Sequence, residues 1–381
     1  MNSPQEAAFG SASPRPVGQA PTRVLMTLDA VGGVWRYAMD LASSLGEEGF
    51  EFVFIGLGPQ PSRRQEAEAE PLGTLRWLDA PLDWTTDEEG DLDTLAPQLA
   101  ELVESEEIDI VHLNAPSQAA GLKLPVPIVA VSHSCVVTWF AAVRGTGMPR
   151  DWLWQERRNR AGFDAADAVI APSNAHAAML RDCYGPIAGL EVVYNGARPA
   201  PASLEKSDFV FAAGRWWDDG KNGAVLDRAA TSCAWPVVMA GANRGPKGQH
   251  LEIVNADHRG ELAHSEARAL MGRAGIVCSP SIYEPFGLVP LEAAGVRAAL
   301  VLADIPTYRE LWDGAAVFAD PRDPGAFAAA IDALAGDPER RHRLAEAAFI
   351  RSRAYSLAAQ AEATATVDRR LLAGRLLVRS A

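Results

Sequence analysis

The segment Arg23–Leu57 reads RVLMTLDAVGGVWRYAMDLASSLGEEGFEFVFIGL. Its first six residues, Arg23–Leu28, form a short apolar run of strand length. Gly32 and Gly33 then mark a turn. From Trp35 to Leu45 the apolar residues recur at three-and-four spacing, which predicts a helix. Gly46 and Gly49 end it, and Phe50–Leu57 is a second apolar run. Strand, helix and strand at this spacing form a βαβ unit, which requires a parallel pair.

The same alternation continues along the chain. Asp109–Leu113 and Ile128–Ser132 read as buried strands, and so do Ala168–Ala171 and Glu191–Tyr194. Leu92–Ser105 and Arg150–Ala166 are predicted helices, and Ser173 caps another that runs to about Cys183. The polar stretch Gln60–Glu70 reads as a surface loop. Asn195-Gly196 is a strong turn signal. Ala197–Lys206 (ARPAPASLEK) is the best linker candidate. Beyond it the alternation restarts, with strands at Phe209–Ala213, Val237–Ala240, Ile276–Ser279 and Leu300–Ala303, and a helical stretch to about Leu377. Two doubly wound α/β halves joined near residue 200 follow from pattern alone. A length of 381 residues agrees, at roughly 150 per domain.

Composition narrows the function. Lys plus Arg is 35 against 49 Asp plus Glu, a formal charge of −14, which disfavours a partner bound by neutralising phosphate backbones. No apolar run approaches the roughly 18 residues of a spanning helix. Met1–Ala20 has neither the charged nor the apolar region of a signal peptide, so a disordered tail is expected. Cys135, Cys183, Cys233 and Cys278 show no CxxC pairing, which disfavours a zinc site or disulfide framework. A cytoplasmic protein, without nucleic acid or stable membrane insertion, is the expectation.

In open α/β sheets, ligands bind beyond the carboxyl ends of strands. Four places qualify. In Ser279–Gly295 (SPSIYEPFGLVPLEAAG) a strand ends, a loop carries Glu284, Pro285, Phe286 and Gly287, and a helix starts near Leu288 with Pro290 in its first turn. Free N–H groups at that start form an anion site, and Glu284 and Glu292 border it. The alternative is a helix start with two solvated acids. In Ala213–Asn222 (AGRWWDDGKN), Arg215 and Lys221 suit a phosphate, or are surface charge beside Asp218 and Asp219. In Asp29–Trp35, Gly32 and Gly33 either approach a ligand or form a tight turn; no GxGxxG is present. His133 ends a strand and faces either a ligand or its own loop. His112 reads as core or rim. Asp91-Leu92-Asp93 reads as solvated charge, and no metal site is expected. Trp35, Trp139, Trp216 and Trp217 flank these loops and are candidates for stacking on a sugar. Trp77, Trp152, Trp154, Trp235 and Trp312 read as packing.

Taken in order, these features closely resemble the retaining GT-B glycosyltransferases of family 4, related to bacterial glycogen synthases. They are the glycine pair, the strand-end His133, the Tyr194-Asn195-Gly196 turn, Gly214-Arg215 with Lys221-Asn222, and Glu284-Pro285-Phe286-Gly287-Leu288 with Glu292. The resemblance runs from about Arg23 to about Leu377 and is more specific in the second half. It implies two Rossmann-like domains facing across a cleft. Residues 21–200 would form the acceptor-side domain, completed by a helix near 357–377 crossing back. Residues 201–356 would bind a nucleoside-diphosphate sugar, with UDP the expected nucleotide.

By the same resemblance, Arg215 and Lys221 hold the diphosphate, and the backbone of Gly287 and Leu288 holds its distal phosphate. Glu284 contacts the transferred sugar and Glu292 the ribose. Phe286 belongs to this donor loop. Gly33 lies by the phosphates or the acceptor, and His133 touches the sugar near the reacting carbon. The reaction implied is metal-independent, same-face transfer to an unidentified sugar, small-molecule or lipid hydroxyl. A nucleotide-sugar 2-epimerase and a non-catalytic nucleotide-sugar binder are the alternatives. Two departures stand out. Asn114 occupies a position where many relatives carry His. The acidity of the chain points toward a soluble acceptor.

Overall fold

The computed structural model describes residues 20–198 and 204–379. The tail expectation for Met1–Ala20 falls almost wholly outside this range, as does the middle of the linker. The first sheet comprises β1 (Thr22–Asp29), β2 (Phe50–Leu57), β3 (Gly73–Trp77), β4 (Ile110–Leu113), β5 (Ile128–Val131), β6 (Ala168–Ala171) and β7 (Leu190–Val192). The second comprises β8 (Ser207–Ala213), β9 (Val237–Ala240), β10 (Asp257–His258), β11 (Ala274–Ser279), β12 (Ala299–Ala303) and β13 (Val317–Ala319). Strand orders are β3-β2-β1-β4-β5-β6-β7 and β10-β9-β8-β11-β12-β13. Every strand pairing within the two sheets is parallel, so each strand needs a crossover and each sheet is covered on both faces. That is why the central strands are unbroken apolar runs. In β12, Leu300, Val301 and Leu302 are all fully buried, each stabilising the fold by roughly 1.5–3 kcal/mol relative to exposure.

The helix Leu357–Arg379 returns to the first sheet. Ala361, Ala365 and Val367 join the core formed by β1, β2 and the helix Gly33–Gly46. Arg369 pairs with Glu48, Arg370 with Glu191, and Arg375 with Asp167. Exposed pairs of this kind contribute little, so the apolar face carries the docking. The chain crosses between domains twice, side by side: Ala197 bridges Ser356, and its N–H donates to the Tyr355 carbonyl. A side chain at Gly196 would sit 2.4 Å from the Ser356 carbonyl, so this crossing requires glycine.

Several expectations need correction. Gln60–Glu70 is not a loop; Arg63–Ala69 is helical, started by a capping box between Ser62 and Gln65. The edge strands Gly73–Trp77 and Val317–Ala319 were not anticipated, nor was the helical segment Val136–Arg144. Arg150–Ala166 divides into a short 3₁₀ turn and a helix from Leu153. Among the described residues no helix is long and apolar enough to cross a membrane.

Candidate active site in the interdomain cleft

Each sheet reverses its winding once, between β1 and β4 and between β8 and β11. Ligand crevices form at such switch points. Here the two crevices face each other. From the first domain come Asp29–Gly33 after β1, Asn114 after β4 and His133 after β5. From the second come Arg215–Lys221 after β8 and Glu284–Leu288 after β11. They meet at Gly32, where an added Cβ would stand 3.2 Å from the Arg215 guanidinium. Glycine here serves close approach across the cleft.

The cationic loop is held rigidly. Asn222, in the left-handed region at φ 56°, donates to the carbonyls of Pro280 and Pro321 at 2.9 and 2.7 Å. Asp218 accepts from the Gly220 N–H at 2.9 Å and lies 3.8 Å from Arg215. Arg215 also sits over the Trp217 ring. Lys221 Nζ donates to Glu284 at 2.6 Å, which ties the two sequence signals together. The helix Leu288–Gly295 begins at Gly287, φ 97°, with no side-chain cap among the described residues, so its first N–H groups remain free for an anion. A Cβ at Gly287 would fall 2.9 Å from the Tyr308 ring. Glu292 lies a turn further on, 3.3 Å from His264. Phe286 is buried and packs edge-on to Tyr355, so only its backbone can meet a ligand.

His133 Nε2 is 2.8 Å from the Asn114 side-chain oxygen. Asn114 donates its amide to the Thr27 carbonyl at 2.6 Å, which turns its oxygen toward His133. His133 therefore donates through Nε2. Burial, with His112 and His176 nearby, lowers its pKa to about 3, so the imidazole is neutral. The Tyr37 ring meets it edge-on at 4.3 Å, and the Tyr37 hydroxyl lies 3.2 Å from His112, which is core. The departure at Asn114 is thus a positioning contact for His133.

Sequence reasoning passed over Asp29. It is nearly buried, accepts from the Val31 N–H at 2.8 Å, and feels the charge of Arg215. Burial nonetheless raises its pKa. Its place at the end of β1 was the available signal. The tryptophans need correction too. Trp35 and Trp216 are core residues, bonded to Glu68 and to the Ala240 carbonyl. Trp139 donates to Asp218 across the cleft. Asp91 and Asp93 are both exposed, as the solvated reading expects, with Asp93 beside Arg158 and Asp91 beside Thr86.

The two domains are joined by further polar contacts. The Tyr283 hydroxyl is 2.7 Å from Thr138, and Lys247 reaches Asp87 at 2.6 Å. Glu310 accepts from the N–H groups of Asn174 and Ala175 at 2.9 and 2.6 Å, and from Tyr194 at 2.9 Å. A carboxylate of the second domain thus caps a helix of the first. Glu310→Ala is expected to loosen the domain arrangement, read as a larger radius of gyration in solution scattering. An unchanged scattering curve would remove Glu310 as a latch.

This is the two-domain arrangement of the GT-B class. Residues 31–200 match the model described as Glycosyltransferase Family 4, and residues 247–351 match Glycosyl transferases group 1. The chain belongs to the GT-B glycosyltransferases of family 4. It is 26% identical over 270 residues to a glycogen synthase of Mycobacterium tuberculosis (strain ATCC 25618 / H37Rv), covering 63% of each protein. The chain therefore spans less than two thirds of that relative's length. An alpha-D-kanosaminyltransferase of Streptomyces kanamyceticus is 28% identical over 227 residues, 57% of this chain and 55% of that one. Among solved structures, sucrose-phosphate synthase from Thermosynechococcus elongatus superposes with a TM-score of 0.75 at 17% identity, covering 93% of this chain and all of that one. HepE from Anabaena, solved in complex with UDP-glucose, gives 0.71 at 17% identity, over 91% and 98%. At these identities the structures establish the fold.

Proposed function

We propose that the protein transfers a sugar from a nucleoside-diphosphate sugar, UDP-linked, to a hydroxyl acceptor, with retention and without a metal ion. The observation that carries this reading is the convergence of Arg215, Lys221 with Glu284, and the uncapped helix start at Gly287–Leu288 on one crevice opposite Gly32. Breaking the bond from sugar to diphosphate builds negative charge on the leaving group. Two fixed cations and a helix start supply the opposite charge there. The neutral His133 lies on the facing wall, and with Nε2–H given to Asn114 its Nδ1 is left to accept from a sugar hydroxyl without adding charge. A leaving phosphate held in this way can take the acceptor's proton on the face it departs from, so no protein nucleophile is needed. Closure of the two domains over bound substrates would exclude water, which limits donor hydrolysis. The acidity of the chain favours a soluble acceptor and a cytoplasmic setting.

The test is incubation with UDP-, GDP- and ADP-sugars, with and without EDTA. Nucleoside-diphosphate release that ignores EDTA supports transfer. Isomerised donor would indicate an epimerase, and tight binding with no product a binding module. In the same scheme Glu292→Ala is expected to weaken nucleotide binding about tenfold with the melting temperature retained, as loss of a charged hydrogen bond to a hydroxyl should. Unchanged affinity by calorimetry would contradict the ribose assignment.

A further inference from the structure

A cavity lies on the hinge side of the cleft, where three parts of the fold converge. Arg36 and Asp40 enter it from the helix Gly33–Gly46, Gln360 from the returning helix, and Asn195 from the crossing. Leu288 and Glu292 of the second domain form the opposite wall.

Its polar groups are incompletely used. Arg36 pairs through Nη1 with Glu68 at 2.7 Å, and its Nη2 lies 3.2 Å from Asp40. Yet Nε and Nη2 are buried and complete no hydrogen bond among the described residues. Gln360 is 4% exposed, and its oxygen accepts from the Gly196 N–H at 2.7 Å. Its amide nitrogen, directed toward the Tyr37 hydroxyl, completes no hydrogen bond of good geometry. Leaving a buried donor unpaired costs about 1–3 kcal/mol, so these groups await an oxygen-rich ligand. Arg36 is already matched by Glu68 and Asp40, Arg198 reaches Asp40 at 2.7 Å, and Glu292 faces them, so the cations here are fully matched by carboxylates. That balance disfavours an anion and suits a neutral group that both accepts and donates, namely a pair of adjacent hydroxyls.

We infer that Arg36 and Gln360 form the first-domain wall of the pocket for the donor's ribose, whose second-domain wall is Glu292. This rests on the reading of Glu292 as a ribose ligand. The ribose oxygens accept from Arg36 Nε and Nη2 and from the Gln360 amide, and a ribose hydroxyl donates to Glu292. Asp40 and Glu68 orient Arg36. Nucleotide binding then ties the domains together on the hinge side, so donor occupancy and domain closure are coupled.

The test is calorimetry on the full chain with UDP and 2′-deoxy-UDP, with the ADP and GDP pairs alongside. The wild type is compared with Arg36→Gln and Arg36→Lys. Arg36 is 27% exposed at its side chain, and melting curves check that both variants fold. For the base bound tightest, the wild type is expected to prefer the ribonucleotide by about tenfold or more. Arg36→Gln should weaken the ribonucleotide about tenfold and leave the deoxynucleotide nearly unchanged, with Arg36→Lys intermediate. An equal ribose preference in wild type and Arg36→Gln would overturn the inference while leaving the donor reading standing. A wild type that binds no nucleoside diphosphate overturns both.

Discussion

Arg215→Ala and Lys221→Ala are each expected to lower turnover by at least ~100-fold, with donor affinity falling less. A preorganised group aimed at charge that develops during reaction is worth about 2.7–4 kcal/mol. Both cations are placed for that task. Arg215 is fixed by Asp218 and Trp217, close against Gly32, and Lys221 is fixed by Glu284. Little reorganisation is left for the moment of bond breaking. Arg215 is the milder variant for the fold, because its side chain is 43% exposed and its partner Asp218 keeps the Gly220 N–H and the Trp139 indole as donors, although Asp29 loses a neighbouring positive charge. Removing Lys221 leaves the Glu284 carboxylate, 16% exposed, without its cation, so its fold is checked by melting. Steady-state rates with a saturating donor measure the effect. Both variants turning over at the wild-type rate would remove the phosphate assignment, and with it the account of how the sugar leaves.

These cations were legible because strand ends are legible. A parallel strand buried on both faces is a continuous apolar run, so Ala213 and Ser279 could be located as strand ends, and Arg215 and Glu284 follow at short range. What escaped was either weakly patterned or non-local. RRQEAEA has no apolar stripe, and only the Ser62–Gln65 spacing announced its helix. GTLRW is a short edge strand whose alternation is easily taken for loop. Trp35 and Trp216 lie near site loops in sequence, but the rings turn inward because burying an indole is favourable where its N–H finds a partner, here Glu68 and the Ala240 carbonyl. Asp29, Arg36, Asn195 and Gln360 approach the cleft from separate segments, and no local pattern marks such a meeting. The Arg215–Gly32 approach is of the same kind. Either half alone reads as a glycine turn or a charged loop, and only the docking of the two domains makes them one site.

The layer beneath His133 holds one buried carboxyl, and that has consequences for pH. Asp368, on the returning helix, is 1% exposed with one oxygen unpaired, and burial raises its pKa to about 7 from an ordinary value of 3.8. Its charge also bears on Tyr37, which packs against His133. A raised carboxyl contributes stability that is fully present below pH 3.8 and is lost as pH rises through 7. At about 1.4 kcal/mol for each pH unit between the two values, the loss by pH 8 is on the order of several kcal/mol. Asp368→Asn removes it. The variant is expected to melt several degrees above wild type at pH 8 and above it by less than half that margin at pH 5. A difference that stays constant between those two pH values would contradict a buried, titrating Asp368.

The histidines act with the opposite sign. Burial lowers His112 and His176 to about 4 and His133 to about 3. Each unfolded histidine takes a proton near pH 6.5 that its folded counterpart refuses, so stability falls as pH drops from 6.5 toward 4, and further toward 3 for His133. In wild type, the protonation of Asp368 offsets part of this fall. Asp368→Asn lacks that counterweight and should lose stability more steeply from pH 7 to 4. Because His133 stays neutral above pH 4, its titration should contribute no limb to the rate profile between pH 5 and 8. A limb there that vanished in His133→Asn would show a charged imidazole facing the sugar, and the uncharged wall argued for the cleft would be wrong.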